Sequence, residues 1–425
     1  MSVQSGRAVA GRVLLRVEKD RAYAAAALNA ELARHPQLDP RERALATELT
    51  YGVLRTQAVL GARLGAFVSR GLDKTDGAVR AHLLVAAYQI LLLDRVPPFA
   101  AVDAAVGLVR AERGAKLAGF ANAVLRKLAA GGPHLDKAAA IVESAPAWLR
   151  ERLERDVGSD EMRALLGAAG EEPAVGVRIR PGHALPEWLE QAERGRASPL
   201  ARLTRGEGDP RRRAGGATSF VVQEEGAQLV GLALGVRPGE RVLDACAGRG
   251  QKTSLFAERL AGSGELWASD LHPAKLEQLV AEIERLGLRP PRTAAVDLSV
   301  GVGDLPGGFD RVLVDAPCSG TGTLRRRPEI ALRLGPDDPA RLAELQAKIL
   351  LNAASLARPG GRVVYAVCSV LREEAEEVVA RVAGALAPAP FDAPELAALA
   401  GETSLRLLPL RHGTDGYFVA SFVRA

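Results

Sequence analysis

Val242-Leu243-Asp244-Ala245-Cys246-Ala247-Gly248-Arg249-Gly250-Gln251-Lys252-Thr253 reads as a strand, a glycine loop and the start of a helix. Glycines at such a turn let the backbone approach a ligand where a side chain would collide. The spacing is neither that of a phosphate loop ending in Gly-Lys-Ser/Thr nor the Gly-x-Gly-x-x-Gly dinucleotide fingerprint. Around it, Arg241 to Ala245, Glu265 to Ser269, Thr293 to Val296, Arg311 to Val314 and Arg362 to Val367 each read as a buried strand, with amphipathic segments between most of them. This alternation predicts an α/β doubly wound parallel sheet over residues 216–425, with any ligand outside the carboxyl ends of its strands. Asp270 ends the second strand and Asp297 follows the third, the places where nucleotide-binding α/β folds put acids for ribose hydroxyls. A glycine loop with acidic strand ends suits S-adenosylmethionine better than ATP, because the methyl donor has no phosphates to cradle. A lone strand-terminal aspartate is more often a helix cap than a ligand, so the combination carries the argument.

The fourth strand runs out into Asp315-Ala316-Pro317-Cys318-Ser319-Gly320, and the fifth into Cys368-Ser369. All three cysteines of the chain, Cys246, Cys318 and Cys368, thus fall at or just beyond strand ends, which crowds three thiols on one rim. Carbon 5 of cytosine is a poor nucleophile until a thiolate adds at carbon 6 and makes an enamine that can take a methyl group. The carbon-5 proton must then leave and the thiolate be eliminated. That cycle needs one activated cysteine, a helper for elimination and an acid near the cytosine edge. Cys368, Cys318 and Asp315 supply those types, and spacing alone leaves open which thiol attacks. Taken singly, each cysteine is more commonly a small buried apolar residue.

The chain has 425 residues, 48% of them hydrophobic and 25% charged, an ordinary globular composition with room for more than one large core. Three cysteines are too few for a disulfide framework, which points to a reducing, cytoplasmic setting. The longest apolar stretches are too short to span a bilayer, and Arg7, Arg12 and Arg16 interrupt any signal-peptide core. Six scattered histidines show no ligand spacing, so no metal site is predicted. Residues 1–140 hold 20 Lys/Arg against 12 Asp/Glu, whereas the rest hold 36 against 39. A basic first third joined to a near-neutral remainder points to a polyanionic partner, nucleic acid before membrane. A merely solvated basic surface is the competing account.

From Arg21 to about Ala130 apolar residues recur three and four apart, which predicts a bundle of five or six helices. Asp39-Pro40 and Asp76 are its start signals, Pro97-Pro98 an internal break, and Gly131, Gly132 and Pro133 its end. A helical stretch around Trp148 to Leu166 and a short strand from Val175 to Ile179 predict a small α+β connector over 141–215. Arg211-Arg212-Arg213 and Gly215-Gly216 give its tail a linker composition. Arg325-Arg326-Arg327, just beyond the Pro-Cys loop, are candidates for phosphate contacts.

Asp315-Ala316-Pro317-Cys318-Ser319-Gly320-Thr321-Gly322, Cys368-Ser369-Val370 with Glu373 and Glu374 after it, and His412-Gly413-Thr414-Asp415-Gly416-Tyr417-Phe418 together resemble the RNA cytosine-5 methyltransferases. The N-terminal helices resemble a NusB-like domain through Arg43-Ala44-Leu45-Ala46, Gly52-Val53-Leu54-Arg55, Leu93-Asp94-Arg95-Val96-Pro97-Pro98 and Asn122-Ala123-Val124-Leu125-Arg126. That pairing is similar to the RsmB-like branch of the family. The resemblance implies an all-α NusB-like RNA-binding bundle (1–140), the connector (141–215) and a Rossmann-like S-adenosylmethionine-dependent methyltransferase domain (216–425). It implies 16S ribosomal RNA of the small subunit as substrate, Cys368 as nucleophile and Cys318 as the thiol that assists release. It also implies donor contacts from Cys246, Ala247, Gly248, Arg249, Gly250, Gln251, Lys252, Asp270, Asp297 and Asp315, with Lys252 and Asp315 in the active site as well.

Two departures stand out. Where the family usually has Ala-Pro-Gly-Gly-Lys-Thr, this chain has Gly248-Arg249-Gly250-Gln251-Lys252-Thr253, and Gln251 is expected to be strained if that position needs a positive φ. Val367 stands where a threonine commonly precedes the nucleophile. Rival readings are a cytosine-5 methyltransferase of transfer RNA and a non-catalytic RNA-binding assembly protein.

Overall fold

Six helices run from Gly6 to Ala130: α1 (Gly6–Lys19), α2 (Ala24–Arg34), α3 (Pro40–Gly65), α4 (Gly77–Leu92), α5 (Pro98–Arg113) and α6 (Ala115–Ala130). The capping signals act as read. Asp39 accepts from the Glu42 amide at the start of α3, and Asp76 from the Ala78 and Val79 amides at the start of α4. Helix α4 is apolar on all sides and buried along nearly its whole length, which makes it the centre of the bundle. Leu83, Tyr88, Leu49, Leu60 and Leu125 meet around it in one core.

The bundle starts earlier than the reading from Arg21. Helix α1 buries Val9, Ala10, Val13, Leu14 and Val17, and its arginines pair inside the unit instead of facing solvent. Arg12 Nε donates to Glu31 at 3.0 Å and Arg7 Nε to Gln89 at 2.7 Å. The helical stretch expected from Trp148 to Leu166 is two helices, Ala147–Val157 and Ser159–Leu166, divided at Gly158, whose φ is +86°. A further helix, Lys137–Ser144, precedes them.

The computed structural model describes residues 5–131, 134–169, 173–205, 210, 218–399 and 403–425. The linker expected at Arg211 to Gly216, and Gly132 and Pro133 at the bundle's end, lie outside the described residues. The chain forms two compact units. One comprises Met1–Glu151, Met162–Glu171 and Leu324–Arg333; the other comprises Arg152–Glu161, Glu172–Thr323 and Leu334–Ala425. Leu324–Arg333 therefore belongs with the helices, far from them in sequence. There Glu329 accepts from the Ala24 amide at 3.1 Å, and Arg55 donates to the Arg325 carbonyl at 2.6 Å.

The second unit holds two sheets. The smaller is antiparallel, in the order β2 (Glu193–Arg194), β3 (Ala201–Thr204), β1 (Val175–Ile179), β4 (Phe220–Val222). Its Arg178 is fully buried and donates to Gln223 at 2.9 Å and to Ser254 at 2.8 Å, and it pairs with Glu258. This anchors the helix Gln251–Leu260 to the small sheet. The larger sheet comprises β5 (Arg241–Asp244), β6 (Glu265–Asp270), β7 (Arg292–Ala295), β8 (Phe309–Asp315), β9 (Ala357–Val367), β10 (Leu386–Pro388), β11 (Ser404–Leu407) and β12 (Tyr417–Arg424). The order is β10-β12-β9-β8-β5-β6-β7, with β11 also on β12.

The five strands expected from the sequence, β5 to β9, are parallel neighbours. The expectation of an all-parallel sheet needs correcting at its C-terminal edge, where β12 pairs antiparallel with β9, and β10 and β11 pair antiparallel with β12. Both faces are covered. Val363, Tyr365 and Val367 of β9 join the core on one face, while Val364 and Ala366 join the core on the other, the period-two alternation of a strand buried on both sides.

Candidate active site

Strand β5 has β6 on one side and β8 on the other, so the strand order reverses there and the two loops leave the sheet in opposite directions. The crevice at such a switch point is where α/β sheets bind ligands. The glycine loop after β5 sits at that crevice. Its Gly250 has a φ of +83° and caps the helix Gln251–Leu260, and a Cβ there would lie 2.6 Å from Leu279. Glycine is required on both counts. Gln251 is already the first helical residue and is absent from the non-glycine positions with positive φ, so the strain expected of it is not present. Its side chain instead donates to the Val222 carbonyl at 3.1 Å. At Gly248, φ +57°, a Cβ would meet nothing within 4 Å, so the outer side of the loop is open.

The carboxylates hold this loop. Asp270, at the end of β6, accepts from the Gly248 amide at 3.1 Å and, through its other oxygen, from the His272 amide at 2.9 Å and Lys275 at 3.2 Å. Asp297 is exposed and accepts from the Ser299 amide and hydroxyl, which lower its acidity range. Asp244 is buried at the end of β5. Its Oδ2 accepts from Thr253 at 2.7 Å, and its Oδ1 has no hydrogen-bond partner.

Burial pushes the Asp244 carboxyl up to about 7, against the Thr253 hydroxyl and the Lys252 charge, which pull it down. A carboxyl raised from 3.8 in this way keeps its proton in the fold after the unfolded chain has lost it. Its contribution to stability is complete below pH 3.8 and is lost as pH rises through about 7. Asp244→Asn is therefore expected to flatten the fall of stability between about pH 4 and about pH 7, by at most about 1.4 kcal/mol for each unit of the shift. Equal slopes in calorimetric scans of the two proteins would refute this.

Lys252, on the first turn of Gln251–Leu260, reaches Asp315 at the end of β8, Nζ to Oδ2 2.5 Å. Burial by itself would lower the ammonium, but the Asp315 charge and hydrogen bond outweigh it and the net direction is upward, so Lys252 is a cation at neutral pH. The loops after β8 and β9 bring Cys318 and Cys368 together, Sγ to Sγ 3.3 Å. The hydrogen bond to Cys368 and burial push the Cys318 thiol well up, and either sulfur can be the donor in this contact. Cys246 is pushed up by burial and by the charges of Asp315, Asp244 and Asp270.

Arg325, Arg326 and Arg327 belong to the helical unit. There Arg327 stacks over the exposed Tyr23 ring at 4.5 Å, and Arg333 lies 5.8 Å from the same ring. Beneath the two thiols lies a buried polar cluster to which the reading of the residues gave no role: Glu374, Ser319, Ser369 and Thr321, quoted there only as parts of the family motifs, and Gln346. The signal available for it was the serine that follows each of the two cysteines.

The 16S rRNA methyltransferase RsmB/F family matches residues 231–423, and the NusB family matches residues 4–130. A putative methyltransferase of Mycobacterium tuberculosis is 39% identical over 98% of this chain and 96% of its own length. The ribosomal RNA small subunit methyltransferase B of Pseudomonas putida is 32% identical over 98% of each chain. Among solved structures, the crystal structure of PH0851 superposes with a TM-score of 0.84 at 23% identity over 100% of both chains, a likeness of fold.

Proposed function

Because this chain belongs to the RsmB/F family of 16S rRNA methyltransferases, with a NusB-family N-terminal region, we propose that it methylates carbon 5 of a cytosine in small-subunit ribosomal RNA. The observation that carries the chemistry is the pair of thiols at 3.3 Å on adjacent strand ends, with Asp315 ending the strand that leads to Cys318 and Lys252 reaching it from the helix after β5. We assign catalysis to residues 216–425, RNA holding to the basic helical region 1–140 and a joining role to 141–215. A cytoplasmic address, where ribosomal subunits are assembled, goes with that substrate.

The residues at the switch point fit S-adenosylmethionine. The loop from Cys246 to Lys252 is open on its outer side at Gly248, and carboxylates at Asp270, Asp297 and Asp315 suit ribose hydroxyls and a cationic sulfonium. When bound, the donor supplies an electrophilic methyl group. Everything else falls to the protein. Cys368, its thiol proton lost to water, adds as the thiolate to carbon 6 of the flipped-out base, with the Cys318 sulfur 3.3 Å away. The addition makes carbon 5 nucleophilic. Once carbon 5 is methylated, its proton passes to water, the carbon 6–sulfur electrons leave with Cys368 as the thiolate with assistance from Cys318, and the double bond returns. Lys252, held cationic by Asp315, stabilises negative charge that develops on the base.

For the RNA itself, Arg325, Arg326 and Arg327, with Arg327 stacked on Tyr23, offer guanidinium groups for phosphates. The test is transfer of labelled methyl groups from S-adenosylmethionine to unmodified 16S RNA, transfer RNA and immature small subunits. Labelling of 16S RNA at 5-methylcytosine is the expected result. Exclusive labelling of transfer RNA would replace the substrate, and RNA binding with no transfer to any of the three would replace the activity.

A further inference from the structure

Glu374 has no solvent exposure, yet its carboxylate is met by four donors from three separate segments. One oxygen accepts from the Ser319 amide at 2.8 Å and from Gln346 Nε2 at 2.9 Å. The other accepts from the Ser369 hydroxyl at 2.6 Å and from the Ser319 hydroxyl. Ser319 follows Cys318, and Ser369 follows Cys368. Gln346 also donates to the carbonyl of Pro317, the residue before Cys318, at 3.0 Å. The Thr321 hydroxyl lies 3.0 Å from that of Ser369, and the Gly322 amide donates to the Cys368 carbonyl at 3.0 Å.

The backbone on both sides of Cys318 and just after Cys368 is thus pinned to one buried group. The Tyr365 hydroxyl, which donates to the Glu374 carbonyl at 2.7 Å, fixes the short turn that carries it. Neither thiol is bonded to Glu374 in this arrangement, so the carboxylate acts through the loops. Satisfied networks of this kind hold one geometry, and reactions that need two groups in register lose rate steeply when the register slips.

We propose that Glu374 is the positioning residue for the thiol pair: it ties the loop after β8 to the loop after β9 and so sets the distance between Cys318 and Cys368. The statement about thiol geometry stands on the structure, and its consequence for turnover rests on the cytosine-5 reading above. An amide in place of the carboxylate turns one acceptor oxygen into a donor facing donors, which pushes the loops apart without changing side-chain size.

The experiment has two readouts on the intact protein. The first is the rate at which diamide, which removes the two thiol hydrogens, couples Cys318 to Cys368, with the pair identified by peptide mapping. The second is the kcat for methyl transfer together with the KM for S-adenosylmethionine. Glu374→Gln is expected to slow coupling and to lower kcat by about tenfold or more, with KM kept within about twofold. Ser319→Ala and Ser369→Ala each leave three donors and are expected to fall between. They decide the matter if Glu374→Gln does not fold, since coupling at the wild-type rate in both would then overturn the proposal. Wild-type coupling in a folded Glu374→Gln would overturn it as well. Coupling that depends on Glu374 in a protein that transfers no methyl groups would support the positioning role and overturn the assigned reaction.

Discussion

Cys368→Ala is expected to abolish methyl transfer, a loss of about four orders of magnitude or more, and to leave no covalent RNA adduct. Cys318→Ala is expected to stop turnover just as fully while accumulating RNA bound to protein through Cys368. The asymmetry comes from the roles the family resemblance implies, Cys368 as nucleophile and Cys318 as the thiol that assists release. The two sulfurs stand 3.3 Å apart, close enough for one thiol to act on the bond the other makes. With Cys368 as the attacking sulfur, removing it removes the bond-forming atom. Removing Cys318 leaves the attacking sulfur in place but takes away the group that assists its departure. Denaturing gels of each variant with labelled RNA and S-adenosylmethionine read both outcomes at once. An adduct in Cys368→Ala and none in Cys318→Ala would exchange the two roles.

Lys252→Met and Asp315→Asn are each expected to lower kcat by about a hundredfold to a thousandfold, and the double variant by little more than either single one. The two groups work as one unit. Lys252 owes its charge in a largely buried setting to the Asp315 carboxylate 2.5 Å away, against the pull of burial. Without Asp315 the ammonium is less favoured, and without Lys252 the carboxylate stands uncompensated beside the thiols. A cycle of the four proteins under saturating donor measures the coupling. Losses that multiply in the double variant would mean that the residues serve separate steps, and the ion pair would then be incidental to catalysis.

Much of this site could be read before the fold was known because strand ends are written plainly. A short apolar run followed by an acid or a cysteine placed Cys246, Asp270, Asp297, Asp315, Cys318 and Cys368 at one rim, and β5 to β9 end at or within three residues of them. The direction of the last strands was not legible. Tyr417 to Phe422 is buried throughout, and a continuous apolar run looks the same whether its neighbour is parallel or antiparallel.

Helix α1 was hidden by its own arginines, whose partners Glu31 and Gln89 lie on other helices. Glu374 was named beside Glu373 in the family motif, but its buried role was not legible in a segment that also holds Glu376 and Glu377, since only the fold decides which carboxylate turns inward. At Gln251 the family pattern misled. The position looks like one reserved for glycine, but the left-handed residue is Gly250, one step earlier, and the glutamine starts an ordinary helix.

The segment Leu324–Arg333 gives the helical unit an unusual history during synthesis. Its partner Ala24 leaves the ribosome early, and Glu329 follows 305 residues later. At about 5 to 20 residues per second that interval is roughly 15 to 60 s. For that time the nascent bundle lacks the peptide that covers its Tyr23 end, and a ribosome that stalls before residue 333 releases a bundle with that end bare. The N-terminal third is therefore not a module that evolution or an engineer can detach with one cut, because its last piece is encoded inside the other unit.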